Sequence, residues 1–126
     1  DLNNELVVHS GLLNLLEKKD TRVFPLYGSD IHPDGFGKIF LNSASNRAYL
    51  YISGVPVPPE DARYQLWLIN SDNISPIGLF YPKNGTGYFY FTLPDIKSNN
   101  IRFLLTEEPT GGSGRPGKKI FLTSSN

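Results

Sequence analysis

The sequence predicts an all-β fold, a β-sandwich of about seven to eight mostly antiparallel strands that follows one N-terminal helix. Short runs with a period of two recur at regular spacing from residue 21 onward. Eight Phe and seven Tyr supply strand-forming side chains, and twelve Gly and ten Pro supply turns. Because 126 residues suit a single domain, we divide the chain into a helical arm, 1–20, and a sandwich, 21–126.

The first twenty residues carry the only helical spacing. Its apolar positions form one stripe, comprising Leu2, Leu6, Val7, Leu12, Leu13, Leu15 and Leu16. This spacing predicts a helix over Asn3–Lys19, with an asparagine cap at its start. Gly11 weakens a helix by up to about 1 kcal/mol relative to Ala, so the arm can also form two shorter helices.

Eight strands follow, each predicted from alternation between two turn signals. They are Arg22–Leu26, Phe36–Leu41, Arg47–Ser53, Arg63–Asn70, Ile77–Tyr81, Gly87–Leu93, Ile101–Thr106 and Lys119–Thr123. The first is expected to stop near Pro25, and Lys83-Asn84-Gly85 is expected to form a tight reversal. The fourth is apolar on both faces, which places it centrally in the sheet. Prolines make the connection 54–59 extended and stiff.

The segment Thr106–Pro116 is a turn with unusual chemistry. Pro109 cannot donate a hydrogen bond, so the strand must end there, and Gly111 and Gly112 allow the backbone to reverse. Glu108 stands where several N–H groups become free. Two interpretations stay open, a glutamate that fastens a stiff turn and a carboxylate that binds a ligand or metal.

Charge and composition exclude several classes of function. Twelve basic residues balance twelve acidic ones, which argues against a nucleic-acid partner. The absence of cysteine excludes disulfides and thiolate sites. No apolar run approaches the roughly 20 residues of a membrane span, so we expect neither a spanning helix nor a signal peptide within these 126 residues. We expect the sequence to be a fragment of a longer protein.

The sequence offers no catalytic set, so we predict neither an enzyme nor a cofactor. His9 and His32 lack zinc-ligand spacing and are expected to be surface side chains, and no metal site is predicted. No serine lies in a G-x-S-x-G elbow. Glu107 and Glu108 are adjacent in an extended segment, so their side chains should diverge instead of acting as an acid–base pair.

Two surface groups leave alternatives open. A tyrosine stripe can either stack on sugar rings or pair across strands to shield the sheet; its members are Tyr49, Tyr51, Tyr88 and Tyr90. A small basic cluster beside the glycine turn is either solvated or paired with Glu107 or Glu108; it comprises Arg115, Lys118 and Lys119. The first group makes a carbohydrate- or surface-binding module the alternative function.

Four stretches, in order, resemble the C-terminal domain of the anti-sigma factor K family. They are Leu50–Pro56 (L-Y-I-S-G-V-P), Tyr64–Ile69 (Y-Q-L-W-L-I), Ile77–Phe80 (I-G-L-F) and Thr106–Pro116 (T-E-E-P-T-G-G-S-G-R-P). The resemblance covers roughly Leu12 to Leu122. We assign a structural role to the motif residues Tyr64, Gln65, Trp67, Glu108, Pro109, Gly111, Gly112, Ser113 and Pro116.

The resemblance implies a regulatory function. Members of this family are single-pass bacterial membrane proteins whose cytoplasmic part holds an extracytoplasmic-function sigma factor inactive. The domain seen here would lie outside the cell membrane, and stepwise proteolysis would free the sigma factor. The expected partners are therefore a sigma factor, a site-specific protease and the membrane, the first and last through parts outside this sequence. Asn3–Lys19 would be the stalk that the sandwich protects or positions.

Overall fold

The computed structural model describes residues 21–82, 86–94 and 100–124. All regular structure in these ranges is β, which confirms the all-β prediction. The strands are β1 Thr21–Gly28, β2 Phe36–Asn42, β3 Arg47–Ser53, β4 Ala62–Asn70, β5 Asn73–Phe80, β6 Thr86–Thr92, β7 Ile101–Pro109 and β8 Ile120–Ser124. The predicted helix Asn3–Lys19 and the Lys83-Asn84-Gly85 reversal lie outside the described residues.

One sheet contains all eight strands, in the order β5-β4-β7-β8-β1-β2-β3-β6. Each pair of neighbours is antiparallel. The predicted two-sheet sandwich is therefore wrong, because β8 pairs with both β7 and β1 and makes the sheet continuous. The sheet rolls into an almost closed barrel. Alternating sequences do not distinguish the two architectures, since every second side chain points inward in both.

The two edge strands meet at the open seam of the barrel. The rings of Phe80 on β5 and Phe89 on β6 stack at 5.3 Å with an angle of 14°. A Cβ added to Gly78 would lie 2.4 Å from Cζ of Phe89, so the glycine leaves room for that ring. Aromatic packing thus covers an edge that backbone hydrogen bonds do not close.

The core fills the inside of the rolled sheet. Its largest fully buried side chains include Leu26, Ile39, Leu50, Leu66 and Phe103. β4 lies between β5 and β7, as its two apolar faces predicted. Its residues Tyr64, Leu66 and Leu68 point into the core, and Trp67 is buried on the opposite face.

Two prolines limit the ladders in different ways. β1 continues past Pro25 to Gly28, contrary to the predicted stop. β8 pairs with β1 only at Leu26–Gly28, so Pro25 lies outside that ladder. Pro109 is the last residue of β7, where it stands opposite Ala62.

Candidate functional site

A buried polar site lies on the outer face of the β4–β7 pair. Gln65 stands opposite Thr106, and Arg63 stands opposite Glu108. Outward-facing polar side chains on a sheet are normally solvated, yet Gln65, Thr106 and Glu108 are buried. They are buried because the chain after β7 folds back across this face.

The Glu108 carboxylate fastens that chain. Ser113 Oγ donates to Oε1 at 2.8 Å, and the Gly117 backbone N–H donates to Oε2 at 2.7 Å. The Thr106 hydroxyl also donates to Oε2, at 2.6 Å. One buried carboxylate therefore accepts three hydrogen bonds. Most of the lone pairs that could bind a substrate or a metal are used by these bonds.

Trp67 and Gln65 extend this arrangement into β4. The Trp67 indole Nε1 donates to the Thr106 hydroxyl oxygen at 2.8 Å. The Gln65 side-chain amide makes two hydrogen bonds with the Ser113 backbone. It accepts from the N–H at 2.9 Å and donates to the carbonyl at 3.1 Å. We call this set the Glu108 network: Gln65, Trp67, Thr106, Glu108, Ser113 and Gly117.

A tight turn directs the loop toward the network. The Gly112 N–H donates to the Pro109 carbonyl at 2.7 Å, and Gly112 has a φ of 81°. A side chain at this left-handed position would be strained, and its Cβ would lie 3.2 Å from Leu79. A Cβ added to Gly111 would meet nothing within 4 Å, so only the second glycine of the pair is required by the backbone conformation.

The remaining predicted site residues have simpler surroundings. The Tyr64 ring lies in the core, and its hydroxyl donates to the Pro56 carbonyl at 2.6 Å. Burial raises the pKa of Tyr64, and the Glu107 carboxylate raises it further. Pro109 is exposed and Pro116 is half-buried beside the loop. The motif residues therefore come together around one turn, apart from the Tyr64 hydroxyl, which anchors the stiff connection 54–59.

The two neighbouring glutamates diverge. Glu107 forms an ion pair with Lys119 at 3.1 Å, whereas Glu108 turns toward the loop. Both line an open depression together with Pro59, Asp61, Ala62, Pro109 and Lys119. No group of three His, Asp or Glu side chains suited to a metal occurs within 21–82, 86–94 and 100–124. The arrangement can hold a loop in place, and its carboxylates do not converge on one point as general acid–base chemistry requires.

The tyrosine stripe lies on a different part of the barrel. Tyr49, Tyr51 and Tyr88 pack at 5.5–6.0 Å with ring planes 48° apart, and Tyr49 is buried. A flat platform for a sugar ring would need coplanar, exposed rings, so this geometry does not favour carbohydrate stacking. His32 is half-buried and its Nε2 bonds to the Gly54 carbonyl, while His9 lies outside the described residues.

Sequence reasoning left two members of the Glu108 network without a predicted site role. Thr106 was predicted as the end of a strand and as part of the turn motif, although its hydroxyl is the link between Trp67 and Glu108. Gly117 contributes only its backbone N–H, a group that nearly every residue type has, so the sequence does not single it out. The signal that the sequence offered for Thr106 was a hydroxyl side chain two residues before Glu108.

Comparison with known proteins decides the family. The family model described as anti-sigma-K factor RskA, C-terminal, matches residues 15–120. The chain belongs to the anti-sigma-K factor RskA C-terminal family. That match includes every residue of the Glu108 network, so the polar site lies inside the part of the chain that defines the RskA C-terminal family.

Two curated relatives each match about 70% of the chain. The chain is 28% identical over 92 residues to the anti-sigma-K factor RskA of Mycolicibacterium vanbaalenii, covering 73% of this chain and 38% of the relative. It is 27% identical over 88 residues to an uncharacterized protein in the phr 5' region of Streptomyces griseus, covering 70% and 36%. The matched region thus spans little more than a third of either relative. No solved structure matches the chain significantly.

Proposed function

We propose that this domain is the extracytoplasmic regulatory part of a membrane-bound anti-sigma factor and carries out no catalysis. Anti-sigma factors bind sigma factors, and the family assignment supports a regulatory role of that kind. The observation that carries the proposal is the match over residues 15–120, which includes β1 to β7 and the start of β8. The sigma-binding part and the membrane span belong to a longer protein in this proposal.

The geometry supports a role in shielding. The one buried carboxylate group of the polar site accepts three hydrogen bonds from its own chain, and Glu107 is paired with Lys119. A stiff barrel of this kind is suited to control access to a neighbouring segment. In the proposal, proteolysis near the membrane frees the sigma factor, and the barrel sets how readily the protease reaches its target. The described residues contain no helix that could cross a bilayer.

The test uses the full-length protein in bacterial cells. An affinity tag on the cytoplasmic part should co-purify a sigma factor of the extracytoplasmic-function class. A protease added outside cells stripped of their wall should degrade the barrel, while a cytoplasmic control protein stays intact. Recovery of no sigma factor, or a barrel digested only after the cells are lysed, contradicts the proposal.

A matched pair of variants tests the regulatory step. Glu108→Ala disrupts the Glu108 network, whereas Glu107→Gln lies outside that network and removes an ion pair to the exposed Lys119. We expect the first to raise transcription from a sigma-dependent reporter and the second to leave it near the wild-type level. If deletion of residues 21–126 also leaves the reporter unchanged, the barrel does not regulate the sigma factor.

A further inference from the structure

A continuous apolar surface lies on the outer face of β1, β2, β3 and β6, away from the Glu108 network. The strand register places Val23, Phe40, Tyr49 and Tyr90 in one row across the four strands. The next row contains Pro25, Lys38, Tyr51 and Tyr88. We call the side chains Val23, Phe40, Tyr49, Tyr51, Tyr88 and Tyr90 the tyrosine face.

Exposure varies sharply within this face. Val23 and Tyr90 at its two ends are 48% and 42% exposed, whereas Tyr49 between them is 0% exposed. The strand neighbours of Tyr49, Ala48 and Leu50, belong to the core, so Tyr49 itself points outward. Its hydroxyl has no hydrogen-bond partner among the described residues. The Tyr88 ring packs against the Tyr49 ring, with the two ring centroids 6.0 Å apart, so the exposed apolar area of the face lies mainly at Val23 and Tyr90.

None of the eight described strands packs across the tyrosine face as a second layer, because all eight belong to the sheet itself. Large apolar surfaces on a domain mark places where another segment packs. The segment 1–20 has the matching chemistry, since its leucines and Val7 form a single apolar stripe at helical spacing. An amphipathic helix and the apolar face of a sheet form a stable pair of layers.

Chain connectivity brings the two together. Residue 20 leads directly into Thr21, which opens β1 and pairs with Asn42. That pair lies one same-face row from Val23 and Phe40, so the segment enters the sheet beside the tyrosine face. A helix of 20 residues would be about 30 Å long, while the four strands span about 14 Å. The segment is therefore long enough to cross the face.

We propose that residues 1–20 dock on the tyrosine face as an amphipathic helix, with the leucine stripe over Tyr49. The docked segment would be the covering layer of a two-layer domain. This inference deepens the proposed function, on which its biological meaning rests, by naming the surface that shelters the stalk. Its physical test requires no sigma factor, so the inference can fail while the regulatory role stands.

The test uses the 126-residue chain and a protease that cuts after glutamate. The segment offers two cleavage sites, Glu5 and Glu17. Val23→Asp and Tyr90→Asp place a charge on exposed positions of the face, and Ile74→Asp is the matched control on β5, where Ile74 is 50% exposed. We expect cleavage at Glu5 and Glu17 to be about tenfold faster in the two face variants and unchanged in the control.

Thermal unfolding of each variant establishes that the barrel still folds, and hydrogen exchange of the 1–20 peptides gives a second measure. Protection of these peptides in the wild type, lost in Val23→Asp and Tyr90→Asp but retained in Ile74→Asp, would support docking. Equal cleavage and equal exchange in all four proteins would overturn it. A third result would also overturn it: a wild-type dimer in sedimentation velocity that Tyr90→Asp converts to a monomer, with no change in hydrogen exchange of residues 1–20. In that case a second copy of the chain would occupy the tyrosine face.

Discussion

Trp67 and Glu108 are joined through the hydroxyl of Thr106, which accepts from the indole N–H at 2.8 Å and donates to the carboxylate at 2.6 Å. The hydroxyl can serve both partners because it has one proton and two lone pairs. The indole donor thus directs the hydroxyl proton toward Glu108. A residue of the central strand and the residue that holds the loop therefore form one hydrogen-bonded chain, which predicts that the barrel and the loop unfold together.

Substitution of Glu108 should be costly. Glu108→Ala removes the acceptor of Ser113, Gly117 and Thr106, and we expect the free energy of unfolding to fall by about 3 kcal/mol. Urea denaturation followed by Trp67 fluorescence measures this change. Glu107→Gln is the control, because its partner Lys119 is 68% exposed, and it should cost about 1 kcal/mol or less. Equal effects of the two substitutions would show that burial of Glu108 does not matter.

The turn glycines should differ in their tolerance of alanine. Gly112→Ala places a side chain at a φ of 81° and 3.2 Å from Leu79, so it should destabilise the domain by about 1–2 kcal/mol. Gly114→Ala is the matched control, since its Cβ meets nothing within 4 Å and should change stability by about 0.5 kcal/mol or less. Thermal unfolding of both variants measures which is less stable. A Gly112→Ala domain more stable than the Gly114→Ala domain would contradict the prediction.

Two buried tyrosines should make the domain sensitive to alkali. Burial raises the pKa of Tyr49, with Tyr88 and Tyr51 adding to the effect, and burial raises that of Tyr64. In the unfolded chain these groups ionise near pH 10. Their contribution to stability is thus fully present below about pH 10 and is lost as the pH rises toward the raised values, by about 1.4 kcal/mol per pH unit for each tyrosine.

The Tyr49→Phe variant distinguishes the contribution of Tyr49 to this alkali sensitivity from that of Tyr64. The substitution should remove about half of the loss above pH 10, and at pH 7 it should raise stability by about 1 kcal/mol, because the Tyr49 hydroxyl is buried without a described partner. Denaturation at a series of pH values measures both effects. Tyr27→Phe, on a ring that is 56% exposed, is the control and should change neither. A Tyr49→Phe domain less stable than the wild type would show that the hydroxyl is bonded.

Much of this protein could be predicted from local patterns. Alternation located all eight strands to within a few residues, because it records which side chains face the core. The two apolar faces of 63–70 predicted a central strand, and β4 lies inside the sheet, although next to the edge strand β5. Glu-Pro followed by Gly-Gly predicted a stiff turn after β7, since proline and glycine act on their own backbone.

Only the tertiary structure decided which of these elements are neighbours. Alternation does not specify strand order, so the continuity of the sheet through β8 and the Phe80–Phe89 seam were not readable from the sequence. The members of the Glu108 network were not predictable for a related reason, because Gly117 acts through its backbone and Trp67, which donates to Thr106, lies far away in the chain. Local sequence determines the backbone conformation and which side chains of a strand face the core. Pairing between distant segments depends on how the whole core closes.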